Sequence, residues 1–355
     1  MKTILITGGA GFVGSNLAIK LKTRYSGNAR IICLDNLKRR GSELNLSRFK
    51  ENGIDFVHGD IRIREDLESV GNVDLILECS AEPSVIAGYG ESPAYLVQTN
   101  LSGTINCLDF ARIQEAGFIF LSTSRVYPIK AINKLTYIEK ETRFELASHQ
   151  NKAGVSSKGF SEDFALEGSR SLYGATKLCS EYIIQEYSEM YNVPAVINRC
   201  AVLTGPWQMG KVDQGVTALW VARHIFKGEL SYFGYGGEGK QVRDILHIED
   251  LFQLICKQIE TLDGSRAEIY NVGGGNEVSI SLLELTKICE EVTGNRIKIS
   301  SVPENRVADI PFFITDNSRI SKTIDWAPKI KPREIVADIA DWIYKNKNYL
   351  NNLLN

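Results

Sequence analysis

Tyr173 and Lys177 stand four residues apart in Tyr173-Gly174-Ala175-Thr176-Lys177. On a helix this spacing puts a phenol and an ammonium on one face, one turn apart. A nearby cation favours phenolate and lowers the phenol pKa toward neutrality, which suits it to proton transfer. The pair alone carries little weight, because a chain of this Tyr and Lys content holds about one such pair by chance. Its weight comes from position. The pair opens a long helical pattern, 173–191, that comes after the apolar run 118–121 and its hydroxyl-rich end Ser122-Thr123-Ser124. A hydroxyl at such a strand end can share the proton that Tyr173 moves. It can equally cap backbone groups, as Ser and Thr do in any protein.

A second constellation lies at the start of the chain. Thr7-Gly8-Gly9-Ala10-Gly11-Phe12-Val13-Gly14 follows the apolar run 4–7 and opens the helical pattern 12–21. In a dinucleotide-binding turn, Gly8 allows the tight turn. Gly11 lets the backbone approach a pyrophosphate at the helix N-terminus, and Gly14 lets helix and strand pack closely. Asp35 comes 21 residues after Gly14, at the end of the second apolar run, where a carboxylate accepts hydrogen bonds from the adenosine ribose. It would repel a 2′-phosphate, so NAD is expected over NADP. The basic trio Lys38, Arg39 and Arg40 is read as a solvated loop. Asp60, after the third run, is placed to meet the adenine amino group or to cap a helix.

These residues need a scaffold that delivers them to one edge. Runs at 4–7, 31–34, 55–57, 73–77 and 118–121 alternate with helix-like segments, including 12–21 and 96–111. That pattern argues for buried parallel strands crossed by helices, a doubly wound α/β sheet of Rossmann type. Residues 128–170 are polar and irregular and read as a functional insertion or lid. A strand is expected at 195–198. Beyond 200, helices are expected at 215–227, 249–260, 280–293 and 332–345, with strands near 230–233, 242–246, 268–272 and 297–300. This tail reads as a smaller α/β region.

Composition narrows the class. The 355 residues carry 41 Lys plus Arg against 43 Asp plus Glu, a formal net charge of -2. That balance lacks the footprint of a general nucleic-acid binder. Seven scattered cysteines form no C-x-x-C, so neither a disulfide framework nor a zinc ribbon is expected, and the cytoplasm is the simplest compartment. The four histidines are far apart and no metal site is expected. No apolar run reaches membrane-spanning length, so no membrane partner is expected.

Together the glycine pattern, Asp35, Ser122-Thr123 and Tyr173/Lys177 resemble the extended short-chain dehydrogenase/reductases, the family of nucleotide-sugar epimerases and dehydratases. The resemblance runs from residue 1 to about 345. Four local segments resemble the CDP-tyvelose (CDP-paratose) 2-epimerases: 35–41, 123–127, Asp213-Gln214-Gly215, and Gly239-Lys240-Gln241-Val242-Arg243-Asp244.

The resemblance implies Thr123, Tyr173 and Lys177 as the catalytic set. It implies NAD contacts from Gly8, Gly11, Phe12, Val13, Gly14, Asp35, Asn36, Asp60, Ile61, Ala81, Asn100, Ser122 and Cys200, besides Tyr173 and Lys177. Substrate contacts are implied for Ser84, Arg125, Gln214, Gln241, Arg243, Arg306 and Asp309, with Arg243 and Arg306 on the diphosphate of a nucleotide sugar.

The implied domains are 1–199 with about 242–257 for NAD, and 200–241 with 258–355 for the nucleotide sugar. A homo-oligomer, dimer or tetramer, is expected. The 4,6-dehydratases carry an Asp-Glu pair after the catalytic Thr, where this chain has Ser124-Arg125. An NAD-dependent epimerase is therefore expected, with a UDP-sugar 4-epimerase, a reductase and a non-catalytic NAD-binding protein as alternatives. Departures from the family are Glu78 for a usual histidine, Glu82 for a usual glutamine and Pro128 for a usual glycine.

Overall fold

The computed structural model describes residues 1–210, 215–262 and 266–354. By internal packing the chain forms two units. The first is Met1–Val126 with Ser171–Arg199 and Phe252–Tyr270, and the second is Tyr127–Arg170 with Cys200–Leu251 and everything from Asn271 on. The segments 127–170 and 242–251, expected with the NAD-binding domain, thus pack in the second unit, and 258–270 packs in the first.

The chain opens with β1 (Lys2–Thr7), α1 (Phe12–Tyr25), β2 (Ala29–Asp35), α2 (Asn45–Asn52), β3 (Asp55–His58) and α3 (Arg64–Glu68). Next come β4 (Leu75–Glu78), α4 (Ala94–Val97), α5 (Thr104–Ile113) and β5 (Gly117–Thr123). The 128–170 stretch holds α6 (Ile129–Asn133) and two small hairpins, β6 (Tyr137–Glu139) with β7 (Phe144–Leu146) and β8 (Val155–Ser156) with β9 (Gly159–Phe160). After it come α7 (Leu172–Tyr191) and β10 (Ala195–Cys200).

The central sheet has seven strands, in the order β14-β10-β5-β4-β1-β2-β3, with β14 at Glu268–Val272. The pairs β1–β2, β1–β4, β2–β3 and β4–β5 are parallel. Every residue of β5 is buried, as a strand covered on both faces requires. The order reverses between β1 and β4, and ligands of doubly wound sheets bind at that switch point, beyond the C-terminal strand ends. The doubly wound architecture is therefore as expected. Helix α7 starts at Tyr173's own turn because the Ser171 side chain accepts the Gly174 N–H at 3.2 Å.

The rest of the chain is β11 (Val202–Thr204), α8 (Val216–Phe226), β12 (Leu230–Phe233), β13 (Val242–His247), α9 (Ile248–Thr261) and then β14. It ends with β15 (Ser279–Ser281), α10 (Leu282–Thr293), β16 (Ile299–Val302), β17 (Phe312–Phe313), α11 (Ser318–Ile324), α12 (Pro332–Lys345) and α13 (Lys347–Leu354). In the second unit α8, α10 and α12 pack on one another, and β13 pairs with β11, β15 and β17.

The 128–170 segment is more ordered than its polar pattern suggests, because Phe160 and Phe164 anchor it. Phe160 stacks on Phe313 with ring centroids 4.7 Å apart and meets Phe164 edge-on at 5.1 Å. No helix among the described residues is long and apolar enough to cross a membrane.

Asp244, on β13, is buried in this unit and its Oδ2 accepts the N–H groups of Gly275 and Thr315. Burial outweighs those bonds and pushes its carboxyl up to about 6. A carboxyl raised in the folded state binds its proton more tightly there than when unfolded. Its stabilising contribution is therefore full below the ordinary carboxylate range and is lost as pH rises through about 6. Urea unfolding at a series of pH values should show that Asp244→Asn flattens the decline across this window. Parallel curves for the two proteins would refute the assignment.

Candidate active site

The glycine turn builds an anion cradle at the switch point. Gly8 has a φ of +61°, and a Cβ there would lie 2.8 Å from the Ser80 backbone. At Gly14 a Cβ would come within 2.4 Å of the Gly8 carbonyl, so only glycine lets α1 sit this close to the turn. Gly11 is the N-cap of α1, with no side-chain cap and no acidic residue in the first turn. The N–H groups of Phe12 and Val13 open the helix as donors, and both residues are half-buried.

Asp35 ends β2 beside this cradle. Its Oδ2 accepts the Ala10 N–H at 3.1 Å and its Oδ1 the Leu37 N–H at 2.8 Å. Burial raises its pKa, opposed by these backbone bonds. With the Gly11 N–H also reaching this carboxylate, about one of its roughly four acceptor positions remains open, which suits a ribose hydroxyl. Shape, free donors and carboxylate together fit a dinucleotide.

Asp60 is arranged differently. Its carboxylate takes three bonds from Arg62 (backbone N–H at 3.0 Å, Nε at 2.9 Å, Nη2 at 2.7 Å) and one from Asn36 at 2.8 Å. Burial raises its pKa, but Arg62 and Asn36 outweigh this and hold it at about 2. Four bonds fill the acceptor positions of a carboxylate. Asp60 thus organises the loop, and Asn36 is one of its supports. It does not cap α3, whose N-cap is Ile63. Ile61 is buried against Gly103.

Thr123, Tyr173 and Lys177, expected to serve proton transfer, come from β5 and α7. Thr123, nearly buried, accepts the Arg125 N–H on Oγ1 at 3.1 Å, which leaves its hydroxyl proton free to face a ligand oxygen. Tyr173 is half-buried and Lys177 is 2% exposed. The Lys177 ammonium lies 4.2 Å over the Phe120 ring and 3.9 Å from Glu78 Oε2.

Ser122 donates inward to Glu181, and Arg199 grips the same carboxylate through Nε at 3.0 Å and Nη2 at 2.8 Å. Ser122 therefore braces β5 against α7 with its hydroxyl proton. The Glu181–Arg199 pair escaped the sequence reading. Its one signal is an acid four residues after Lys177, on the buried face of α7.

Asn100 also works through the backbone. It lies in a π-helical segment, Gln98–Gly103, between α4 and α5. Fully buried, it accepts the Glu82 N–H at 2.7 Å and donates to the Glu82 carbonyl at 3.0 Å. Its own carbonyl accepts the Ser180 hydroxyl of α7 at 2.9 Å. Asn100 thus positions the loop that carries Ala81, Glu82 and Ser84. Ala81 is half-buried and Ser84 nearly buried, with the Ser84 N–H on Glu82 Oε1 at 3.3 Å.

In the second unit, Arg243 donates from Nη1 to the Val242 carbonyl at 2.8 Å, and from Nη2 to Asp309 Oδ1 at 3.1 Å and the Ile310 carbonyl at 2.7 Å. A guanidinium has five N–H donors, so two remain among the described contacts, one on Nη1 and one on Nε. Asp309 thus acts as a holder for Arg243. Arg306 lies over the Phe233 ring at 3.7 Å, and Gln241 donates to the Phe233 carbonyl. Gln241 Oε1 is buried with no hydrogen-bond partner among the described residues. Cys200, at the end of β10, is buried and packs in this unit. Arg125 is half-buried on the turn after β5, and Gln214 lies outside the described residues.

Residues 4–273 match the NAD dependent epimerase/dehydratase family. The chain is 31% identical over 350 residues to the CDP-paratose 2-epimerase of Salmonella typhi, covering 96% of this chain and 98% of that protein. The fold is similar to Thermotoga maritima UDP-glucose 4-epimerase with UDP-glucose, with a TM-score of 0.78 at 24% identity, covering 98% of this chain and 100% of the other. It is also similar to Bacillus cereus UDP-glucuronic acid 4-epimerase in complex with UDP-glucuronic acid and NAD, with a TM-score of 0.79 at 22% identity, covering 97% and 99%. With its glycine cradle, Asp35 and the Thr123/Tyr173/Lys177 set, the chain belongs to the NAD dependent epimerase/dehydratase family.

Proposed function

We propose that this enzyme epimerises a nucleotide-diphosphate sugar through a transient ketone, with a CDP-sugar inverted at C2 as the favoured substrate. The observation that carries this reading is the sequence after Thr123. Ser124-Arg125 supplies no carboxylate where water elimination would need an acid and a base, while Thr123, Tyr173 and Lys177 are all kept. The 31% identity to a CDP-paratose 2-epimerase over nearly the whole chain supports the choice of sugar nucleotide.

The cradle and Asp35 would hold NAD, which supplies a hydride acceptor and returns the same hydride. Tyr173 takes the proton of the reacting hydroxyl as the carbon is oxidised, and gives it back as the carbon is reduced. Thr123 donates a hydrogen bond to that oxygen throughout. Lys177 favours the phenolate between the two steps. Arg243 and Arg306 carry charge for the diphosphate, with Arg243 held in advance by Asp309. The reaction is an isomerisation with no net oxidation, so no cofactor is consumed.

Three outcomes test this reading. The protein should purify with NAD bound, detected in the supernatant after denaturation. NADP in its place would overturn the Asp35 argument.

Tyr173→Phe should lower turnover by at least roughly 10²-fold while NAD stays bound, since only the general base is lost. Near-normal turnover would move the base elsewhere, with Glu82 the first suspect.

The substrate class is tested with CDP-, UDP- and GDP-sugars deuterated at the reacting carbon. A CDP-sugar should give an epimer that keeps its deuterium in ordinary water. Epimerisation of a UDP-sugar at C4 would establish the second reading. Loss of the label to solvent would sink hydride return, and no product from any sugar would leave an NAD-binding protein.

A further inference from the structure

Glu78 closes β4 beside the switch point, where the family usually has a histidine. Its side chain is fully buried. Its register partners are Thr7 on β1 and Phe120 on β5, so all three side chains share one sheet face. That face belongs to the apolar core that also holds Leu34, Cys107 and Phe120. Neither carboxylate oxygen has a hydrogen-bond partner among the described residues, and neither does the buried Thr7 hydroxyl. What Glu78 has is the Lys177 ammonium, 3.9 Å from Oε2.

The surrounding charges are few. Lys177 faces Glu78 from α7 and the Cys107 thiol faces it from α5, while β1 and β5 present Thr7 and Phe120, which do not titrate. Glu181, the next acid along α7, is engaged by Arg199 and Ser122. Burial pushes the Glu78 carboxyl up to about 7, opposed first by Lys177 and then by the nearby Ser80 N–H, whose geometry falls short of a hydrogen bond.

A buried carboxylate without hydrogen bonds is a poor stabilising device, since an apolar residue of similar size would cost less. Its placement makes sense through the cation it faces. We propose that Glu78 is a positioning residue for proton transfer: its carboxylate seats the Lys177 ammonium and offsets the positive charge that Lys177 presents to the Tyr173 phenol. The proposal rests on the reading of Tyr173 as the proton-transfer group. Tyr173 and Lys177 are one helical turn apart, so a change in the net charge around Lys177 is felt at the phenol. With Glu78 ionised, the phenol faces a compensated pair. With the carboxylate removed, it faces a bare cation, and the phenolate becomes easier to form.

The ionisation of Tyr173 can be read on the protein as purified, as the ultraviolet phenolate signal lost on Tyr173→Phe. Measured in the wild-type and Glu78→Gln backgrounds, its midpoint should fall by about half a pH unit or more in the latter. The acid limb of kcat/KM should move down with it. A midpoint and a limb that stay in place, with Tyr173→Phe inactive, would reduce Glu78 to a structural residue and overturn the proposal.

Normal turnover of Tyr173→Phe would be a different failure, that of the proton-transfer reading itself, and would take the proposal with it. If Glu78→Gln loses its folded circular dichroism, Glu78→His replaces it, since a neutral imidazole also removes the negative charge. A His variant with an unlowered midpoint would equally overturn the role.

Discussion

The ammonium of Lys177 is 2% exposed, and a charge so far from water must be met by other charges or dipoles. Isolated in an apolar interior it would cost several kcal/mol, enough to drive the lysine to neutrality or unfold its surroundings. The fold meets this demand from two strands. Phe120 of β5 offers a ring face 4.2 Å away, and Glu78 of β4 offers a carboxylate at 3.9 Å. Both strands are therefore placed by the sheet to serve one residue on α7. The register that pairs Thr7 with Glu78 and Glu78 with Phe120 is part of the site's chemistry as well as of its core.

One turn further along α7 the same helix face is held in the opposite way. Glu181 is gripped by Arg199 through both Nε and Nη2, and Ser122 adds a third donor. Such a buried pair is costly to break, about 3–5 kcal/mol when one partner is removed. It fixes α7 against β5 and β10, and so fixes the place of Tyr173 relative to Thr123. The two acid–base contacts on α7 thus differ in kind. One is saturated with hydrogen bonds and sets geometry. The other is a loose pair without hydrogen bonds, and its charge can respond to its surroundings.

Much of this was legible in the sequence. The order of the apolar runs places a glycine turn, an acid at the end of β2, a hydroxyl at the end of β5 and a Tyr/Lys helix start along one edge, and each of these elements is present. Short pieces were not legible. β15 and β17 have three and two residues, too few to show a period. The 128–170 segment read as irregular because its hairpins are tiny and its anchor Phe160, which also holds Phe164, finds its partner Phe313 about 150 residues away. Site residues acting through the backbone were also hidden. Asn100 carries a side chain suited to a ligand, and only the geometry shows that it also holds the Glu82 backbone. Asp60 looks free in sequence, and only the geometry shows its oxygens filled by Arg62 and Asn36. Glu78 stood out as a departure, but sequence alone does not say which helix it faces.

The second unit solves a related problem by different means. A guanidinium that is to receive an anion must not collapse onto the nearest carboxylate so completely that the anion cannot displace or join it. Arg243 spends three of its donors on Asp309 and on two carbonyls, and keeps one proton on Nη1 and the Nε proton. Its orientation is fixed before an anion arrives, which lowers the ordering cost of binding. Asp309 is itself tied down, since the same Oδ1 accepts the Ile310 N–H at 2.8 Å. Arg306 is backed by a ring. Its guanidinium lies 3.7 Å over the Phe233 ring, a cation–π contact. A carboxylate and an aromatic ring therefore back the two guanidiniums, and the bonds to Asp309 and the carbonyls fix the direction of Arg243.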